Sequence, residues 1–115
     1  MEHKPVYYGE YLQLEKIIDA QYPVSFQEGK EPAHDEMLFI IIHQAYELWF
    51  KQILFEVNSV LEIMNKPSIN DNSSDVQTIV HRLQRCGTIL KVLVQQIDIL
   101  ETMTPMDFLD LRDML

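Results

Sequence analysis

Hydrophobic positions along this chain recur every three or four residues, which is the period of an α-helix, and show no alternation typical of a strand. Between Tyr8 and Ala20, the segment YGEYLQLEKIIDA gathers aromatic and aliphatic residues on one side and predicts a first helix. Residues 21–32 carry proline, serine, glycine and mixed charge without periodicity. This composition predicts a loop after the first helix.

The most regular pattern predicts a long second helix from Ala33 to about Asn65, just before Pro67. Asp35 and Glu36 fall in its first turn, where negative charge is favourable at the positive end of the helix dipole. An apolar stripe at 3,4 spacing runs along the helix and includes one histidine. Its members are Phe39, His43, Tyr46, Phe50, Ile53, Val57, Val60 and Met64.

A polar turn at residues 66–75 separates the second helix from a third, which continues to about Met103. Ser73 and Ser74 are the candidate N-caps of this third helix. Thr104 followed by Pro105 predicts the start of a fourth helix, because threonine is a good N-cap and proline is favoured at the first helical position. The pattern therefore predicts an all-α fold, a bundle of long antiparallel helices.

Length and charge narrow the class of protein. With 115 residues, 47% of them hydrophobic, the chain suffices for one domain or one piece of a larger domain. The net charge of -9 should repel nucleic acid and anionic membrane surfaces. The longest apolar run, Met37 to Ile42, is far shorter than the roughly 20 residues that span a bilayer. One cysteine and the absence of a signal-peptide pattern at the N-terminus favour a cytoplasmic location.

A histidine within an apolar stripe has two interpretations. In the first, His43 simply fills the core with both ring nitrogens hydrogen-bonded, as buried polar groups usually are. Alternatively, His43 and Phe39, which lies one helical turn earlier, project together and form part of a binding pocket. For Phe39, too, packing in the core is the ordinary interpretation.

The last helix carries a second candidate pair. Phe108 and Arg112 are four residues apart and project on one side, so that the guanidinium is placed to hold a ligand carboxylate. The alternative for Arg112 is a surface ion pair with Asp107, Asp110 or Asp113. Tyr8 and Tyr11 are commonly packing residues. The spacing of His34 and His43 does not match a zinc helix, and Cys86 lacks a CxxC partner.

Three long segments together resemble the tryptophan 2,3-dioxygenase family. They are YGEYLQLEKIIDAQ, HDEMLFIIIHQAYELWFKQILFE and RLQRCGTILKVLVQQIDILETMTPMDFLDLRDML, in this order and covering nearly the whole chain. The resemblance implies an all-helical, haem-dependent homotetramer that opens the indole ring of L-tryptophan with O2 and gives N-formylkynurenine. Haem b would thus be the cofactor.

The resemblance also implies roles for individual residues. His43 matches the histidine on the distal side that hydrogen-bonds the indole N–H of the substrate, and Phe39 and Phe108 match aromatic walls of the same pocket. Arg112 matches the arginine that binds the substrate carboxylate. The N-terminal residues of the family complete a neighbouring subunit's pocket, and here they correspond to Tyr8, Tyr11 and Leu12.

The chain departs from the family's pattern in length, because the segment carrying the proximal haem histidine has no counterpart here. His3, His34 and His81 are poor substitutes by position. We therefore expect residues 1–115 to be the N-terminal part of one dioxygenase domain, with the iron ligand beyond residue 115 or on a second chain. Alternatives are an inactive fragment and a haem-free module that binds tryptophan or packs against other helices.

Overall fold

The computed structural model describes residues 6–68 and 74–114, except for the side chains of Asp110 and Met114. His3, considered above as a substitute iron ligand, and Ser73, a candidate N-cap of the third helix, lie outside these residues. Within them the chain forms helices and no strand, which confirms the predicted all-α class. The helices are α1 (Tyr8–Leu12), α2 (Leu14–Ile18), α3 (Glu36–Met64), α4 (Ser74–Leu100) and α5 (Pro105–Met114), with a 3-10 turn at Val24–Phe26.

The first predicted helix is broken in two, so its prediction as one helix through Ala20 is wrong. Gln13 has φ 53° and ψ 45°, a left-handed conformation that ends α1 and precedes α2. Its backbone N–H donates to the carbonyl oxygen of Glu10 at 3.2 Å. Because neither glycine nor proline stands at this position, the sequence carried no signal for the break.

The other helix ends lie near their predicted positions. Helix α3 begins three residues after the predicted Ala33, and α4 ends at Leu100 rather than Met103. Helix α5 starts where Thr104 and Pro105 predicted, and the Asp107 backbone N–H donates to the Thr104 hydroxyl oxygen at 3.2 Å. Thr104 is therefore the N-cap of α5, as expected.

Helices α3 and α4 pack against each other in antiparallel orientation and form most of the core. The Tyr46 hydroxyl donates to the Leu93 carbonyl oxygen at 2.6 Å, and further along α3 Glu56 meets Arg85, which precedes Leu93 in α4. The two helices are thus joined by polar contacts at two levels. The buried apolar residues are Ile42, Val60, Ile63, Cys86, Ile89 and Leu93, with Met103 and Leu111 from the end of the chain.

Only part of the predicted stripe of α3 packs on α4, through residues such as Tyr46 and Val60. Among the members of that stripe only Val60 is buried, whereas His43, Phe50 and Met64 are exposed. The interpretation of His43 as a core residue is therefore wrong. Helix α3 is apolar around most of its circumference, so the period alone could not identify the buried face.

The helical pair leaves large apolar surfaces uncovered. Leu54 and Phe55 of α3 and Val94 of α4 are each more than half exposed. The radius of gyration is 20.2 Å, against about 13 Å for a compact domain of roughly this length. Such faces are typical of helices that pack against further protein. No helix in residues 6–68 and 74–114 combines the length and hydropathy needed to cross a membrane.

Candidate functional site

An open groove of about 880 Å³ lies between α2 and the first half of α3. One wall comes from the end of α2 and the residues after it, and the other wall comes from successive turns of α3. Most of its lining surface is apolar, and charged side chains also take part in the lining. The lining residues are Lys16, Ile17, Ala20, Phe39, Ile40, His43, Gln44, Glu47, Leu48 and Lys51.

The groove contains two of the residues singled out from the sequence, Phe39 and His43. Their ring centroids lie 4.3 Å apart with an interplanar angle of 41°. His43 Nδ1 lies 2.7 Å from the Phe39 carbonyl oxygen. A carbonyl oxygen only accepts hydrogen bonds, so Nδ1 carries the proton and donates it. In the neutral ring Nε2 is then unprotonated and is a hydrogen-bond acceptor.

The opposite wall is tied to α3 through two glutamine side chains. Gln44 Nε2 donates to the Ala20 carbonyl oxygen at 2.8 Å, and Gln44 Oε1 accepts from Gln21 Nε2 at 2.9 Å. Gln21 Nε2 also donates to the Ile17 carbonyl oxygen at 2.9 Å. These bonds hold the C-terminal end of α2 beside the helical turn that carries His43.

Glu36, the first residue of α3, anchors the loop that connects α2 to α3. Sequence reasoning missed this role. Its side chain is 4% exposed and accepts hydrogen bonds from the backbone N–H groups of Val24 at 2.8 Å and Ser25 at 2.7 Å, and from the Ser25 hydroxyl. The Ser25 hydroxyl oxygen accepts from the Ala33 backbone N–H at 3.0 Å. Burial raises the pKa of Glu36, but the bonds from Ser25 and Val24 outweigh it and hold the pKa below its usual range.

A second buried carboxylate, Glu56, lies at the α3–α4 contact. Arg85 Nη1 is 3.0 Å from Glu56 Oε2, and Arg85 Nη2 is 3.2 Å from Nε2 of His81, which accepts the bond. The hydrogen bond from Arg85 lowers the pKa of Glu56, burial raises it, and the net effect is a pKa below the usual range. Neither glutamate was identifiable from the sequence, because acidic residues on long helices are ordinarily solvated.

The N-terminal candidates do not line the groove. Tyr8 and Tyr11 are 73% and 74% exposed, and Leu12 is exposed at 36%. They belong to α1, beside a separate hollow whose lining includes Tyr7, Gly9 and Gln13. These three side chains are therefore free to meet another surface.

The candidates of α5 also lie apart from the groove. Phe108 is 46% exposed. Arg112 Nε lies 3.7 Å from Asp113 Oδ1, with the two side chains 65% and 76% exposed. The surface ion pair left open by the sequence is thus present for Asp113, and exposed pairs of this kind contribute little to stability. The side chain of Asp110, another suggested partner, lies outside the described residues.

Three histidines belong to the part of the chain that the structure describes: His34, His43 and His81. Of these, His43 lines the groove. His34 is exposed beside Phe26 and Pro32, and His81 accepts from Arg85. Within residues 6–68 and 74–114, no three histidine, cysteine, aspartate or glutamate side chains lie close enough to hold a metal ion.

Comparison with known proteins extends the resemblance seen in the sequence. The chain is 54% identical to the tryptophan 2,3-dioxygenase of Bdellovibrio bacteriovorus over 115 residues, covering 100% of this chain and 31% of the relative. It is 55% identical to that of Anopheles gambiae over 108 residues, 94% of this chain and 27% of the relative. For Alteromonas mediterranea the identity is 52% over 112 residues, 97% of this chain and 30% of the relative.

The chain thus spans about three tenths of the length of these curated relatives. The family profile described as tryptophan 2,3-dioxygenase matches residues 1–115, the whole of the chain. Coverage of this extent confirms the resemblance. This chain belongs to the tryptophan 2,3-dioxygenase family.

Proposed function

We propose that this chain supplies the substrate-orienting side of a haem-dependent enzyme that cleaves the indole ring of L-tryptophan with O2 to N-formylkynurenine. Membership of the family supports the reaction class. The observation that carries the assignment of a role to this chain is the arrangement of Phe39 and His43 in the groove. L-Tryptophan and O2 are the proposed substrates, and the proposed location is the cytoplasm.

His43 is suited to orient the substrate by one hydrogen bond. Its Nδ1–H is engaged by the Phe39 carbonyl oxygen, which leaves Nε2 as the acceptor in the neutral ring. The indole N–H is a donor without acceptor capacity, so the two groups are complementary. Indole N–H is also a far weaker acid than imidazolium, and His43 therefore orients the ring rather than removing its proton.

Phe39 supplies an aromatic wall beside the imidazole. Its ring lies 4.3 Å from that of His43 and is half-buried in the groove. Offset and tilted contacts between aromatic rings are favourable beyond their area, so a flat indole has a partner on this side. A ring held by one face and one N–H is fixed in both tilt and rotation, which is the positioning that a ring-opening reaction needs.

Arg112 is proposed to bind the substrate carboxylate, and Phe108 to wall the same pocket. The ion pair of Arg112 with Asp113 is loose and exposed, so exchanging it for a ligand carboxylate costs little. Tyr8, Tyr11 and Leu12 are proposed to complete the pocket of a neighbouring subunit in a homotetramer. Their exposure in α1 agrees with such a contribution.

Haem b is the proposed cofactor, and it supplies the activation of O2 when bound. The described residues fit the substrate side of a haem pocket, because the groove offers apolar walls, an aromatic ring and a hydrogen-bond acceptor at His43 Nε2. We place the axial histidine outside residues 1–115 or on a second chain. The chain's own residues orient the indole and hold the carboxylate.

A histidine whose Nδ1–H donates to a carbonyl is also a common form of metal ligand, so the test has to separate orientation from ligation. In the full-length protein, His43→Ala should retain haem, as measured by the Soret band, and should reduce affinity for L-tryptophan moderately. The wild-type protein should prefer L-tryptophan over 1-methyl-L-tryptophan, which lacks the N–H donor. His43→Ala should lose most of that preference.

His34→Ala is the matched control, because His34 is exposed and does not line the groove. Loss of haem from His43→Ala but not from His34→Ala would contradict the orienting role and favour ligation. A full-length protein that binds L-tryptophan without ever binding haem would instead support a haem-free binding module. Residues 1–115 that bind neither haem nor L-tryptophan and have no partner chain would indicate an inactive fragment.

A further inference from the structure

We propose that Gln44 is a positioning residue that sets the width of the groove by latching the end of α2 to α3. This inference rests on the proposed function of the groove and names a residue to which that proposal gives no role. Gln44 follows His43 directly, and its side chain reaches across to the opposite wall. The latch consists of Gln44, Gln21 and the carbonyl groups of Ala20 and Ile17.

The orientation of both amides is determined by their partners. The carbonyl oxygens of Ala20 and Ile17 accept only, so the groups facing them are the NH2 groups of Gln44 and Gln21, respectively. Gln44 then presents its oxygen to the second N–H of Gln21. Flipping the Gln44 amide would bring two acceptors together at Ala20, so this is the self-consistent arrangement.

The latch joins the end of α2 to α3 through backbone carbonyl groups. Helix α2 ends at Ile18, and the Ala20 carbonyl oxygen just beyond it accepts from Gln44 Nε2. The Ile17 carbonyl oxygen accepts from the Ala20 backbone N–H at 3.4 Å and also from Gln21 Nε2. Truncating Gln44 removes the bond to Ala20 and leaves Gln21 without its acceptor across the groove.

The latched segment forms one complete side of the groove. Lys16, Ile17 and Ala20 form the wall opposite Phe39 and His43. The chain after them is held a second time, where Glu36 accepts the backbone N–H groups of Val24 and Ser25. Gln44 therefore controls the part of this wall nearest to His43, while Glu36 controls the loop behind it.

A flat ring needs both walls in place to keep its N–H aimed at His43 Nε2. If the wall of Ile17 and Ala20 moves away, the ring can slide and the hydrogen bond is lost part of the time. The chemistry after correct binding is unaffected. Weakening the latch should therefore act on substrate binding and on discrimination between ring donors, and much less on kcat.

The test compares Gln44→Met with Gln44→Ala in the full-length holoenzyme. Methionine has nearly the same length but neither bonds to Ala20 nor accepts from Gln21, so it separates the hydrogen bonds from the packing. Both variants should raise KM for L-tryptophan about three- to tenfold, with kcat changed by less than about twofold. The dissociation constant from calorimetry should rise in parallel, and the preference for L-tryptophan over 1-methyl-L-tryptophan should fall.

Gln21→Ala should give a smaller effect of the same kind, because the bond from Gln44 to Ala20 survives. Combining Gln21→Ala with Gln44→Ala should add little to Gln44→Ala alone, since both changes break one network. Gln84→Ala, at an exposed position of α4, is the control and should leave KM unchanged.

The outcomes distinguish this inference from the function on which it rests. Normal KM and normal discrimination in Gln44→Met and Gln44→Ala, with an active wild-type enzyme, would overturn the latch alone. A fall in kcat with KM unchanged would also overturn it. A wild-type holoprotein that neither binds nor turns over L-tryptophan would overturn the proposed function and the latch with it.

Discussion

Arg85 Nη1 lies 3.0 Å from Glu56 Oε2, and this contact joins α4 to α3 at a carboxylate that is only 3% exposed. Gln52 Nε2 approaches the same oxygen at 3.4 Å. The arginine itself is 49% exposed, so the pair is half solvated and half enclosed. It ties together the two helices that form most of the core.

Removing Arg85 should destabilise the protein more than removing an exposed cation. Arg85→Met leaves the Glu56 carboxylate enclosed without its cation, whereas Lys66→Met breaks only the exposed pair with Asp75 at 3.2 Å. We expect Arg85→Met to lower the Tm of the full-length protein by several degrees more than Lys66→Met does. Equal Tm values in a calorimetric scan would show that the pair contributes nothing specific.

Stability should fall in acid because two glutamates have lowered pKa values. The pKa of Glu36 and that of Glu56 lie below the usual range in the folded state. A lowered folded pKa gives stability that is present above the unfolded pKa and is lost as pH falls through the folded pKa. The free energy of unfolding should thus begin to drop below about pH 5.

Glu36→Gln is the variant for the acid prediction, because it removes one titrating group at similar size. Urea unfolding of the full-length protein at a series of pH values should give a shallower acid slope for the variant than for the wild type. Glu101→Gln, at an exposed position after α4, should leave that slope unchanged. An identical slope in all three proteins would contradict the assignment of Glu36.

The left-handed conformation of Gln13 predicts opposite effects of two substitutions. With φ 53°, a residue with a branched Cβ is strained and glycine is not. Gln13→Val should destabilise the protein by about 1–2 kcal/mol, while Gln13→Gly should be neutral or slightly stabilising. Equilibrium unfolding checks both, and a destabilising glycine would show that the Gln13 side chain makes contacts of its own.

Arg112 offers a direct test of carboxylate binding. In the full-length enzyme, Arg112→Leu should raise KM for L-tryptophan, because loss of a charge-assisted pair weakens the binding free energy by about 1.5–3 kcal/mol. Tryptamine, which lacks the carboxylate, should be affected much less. Lys91→Leu, at an exposed position of α4, is the control for removing positive charge. An unchanged KM in Arg112→Leu would remove the carboxylate role.

Local signals in the sequence were enough for the helical class and for most helix ends. Thr104 and Pro105 identified the start of α5, because a cap and an N1 proline act within one turn. The long segments shared with the family were enough for the family and for naming Phe39 and His43 as neighbours on one helical face. The roles of all seven candidate residues, Phe39 and His43 included, stay predictions, and Arg112, Phe108, Tyr8, Tyr11 and Leu12 lie apart from the groove in this chain.

Tertiary structure decided the features that depend on distant parts of the chain. Helix α3 is apolar around most of its surface, so only packing on α4 buried Ile42 and left His43 facing the groove. The burial of Glu36 and the latch at Gln44 depend on partners 11 and 24 residues away along the chain. The sequence by itself determined where helices form, because period and capping signals act over only a few residues. Which faces the helices bury, and which polar groups meet, depended on how the helices pack.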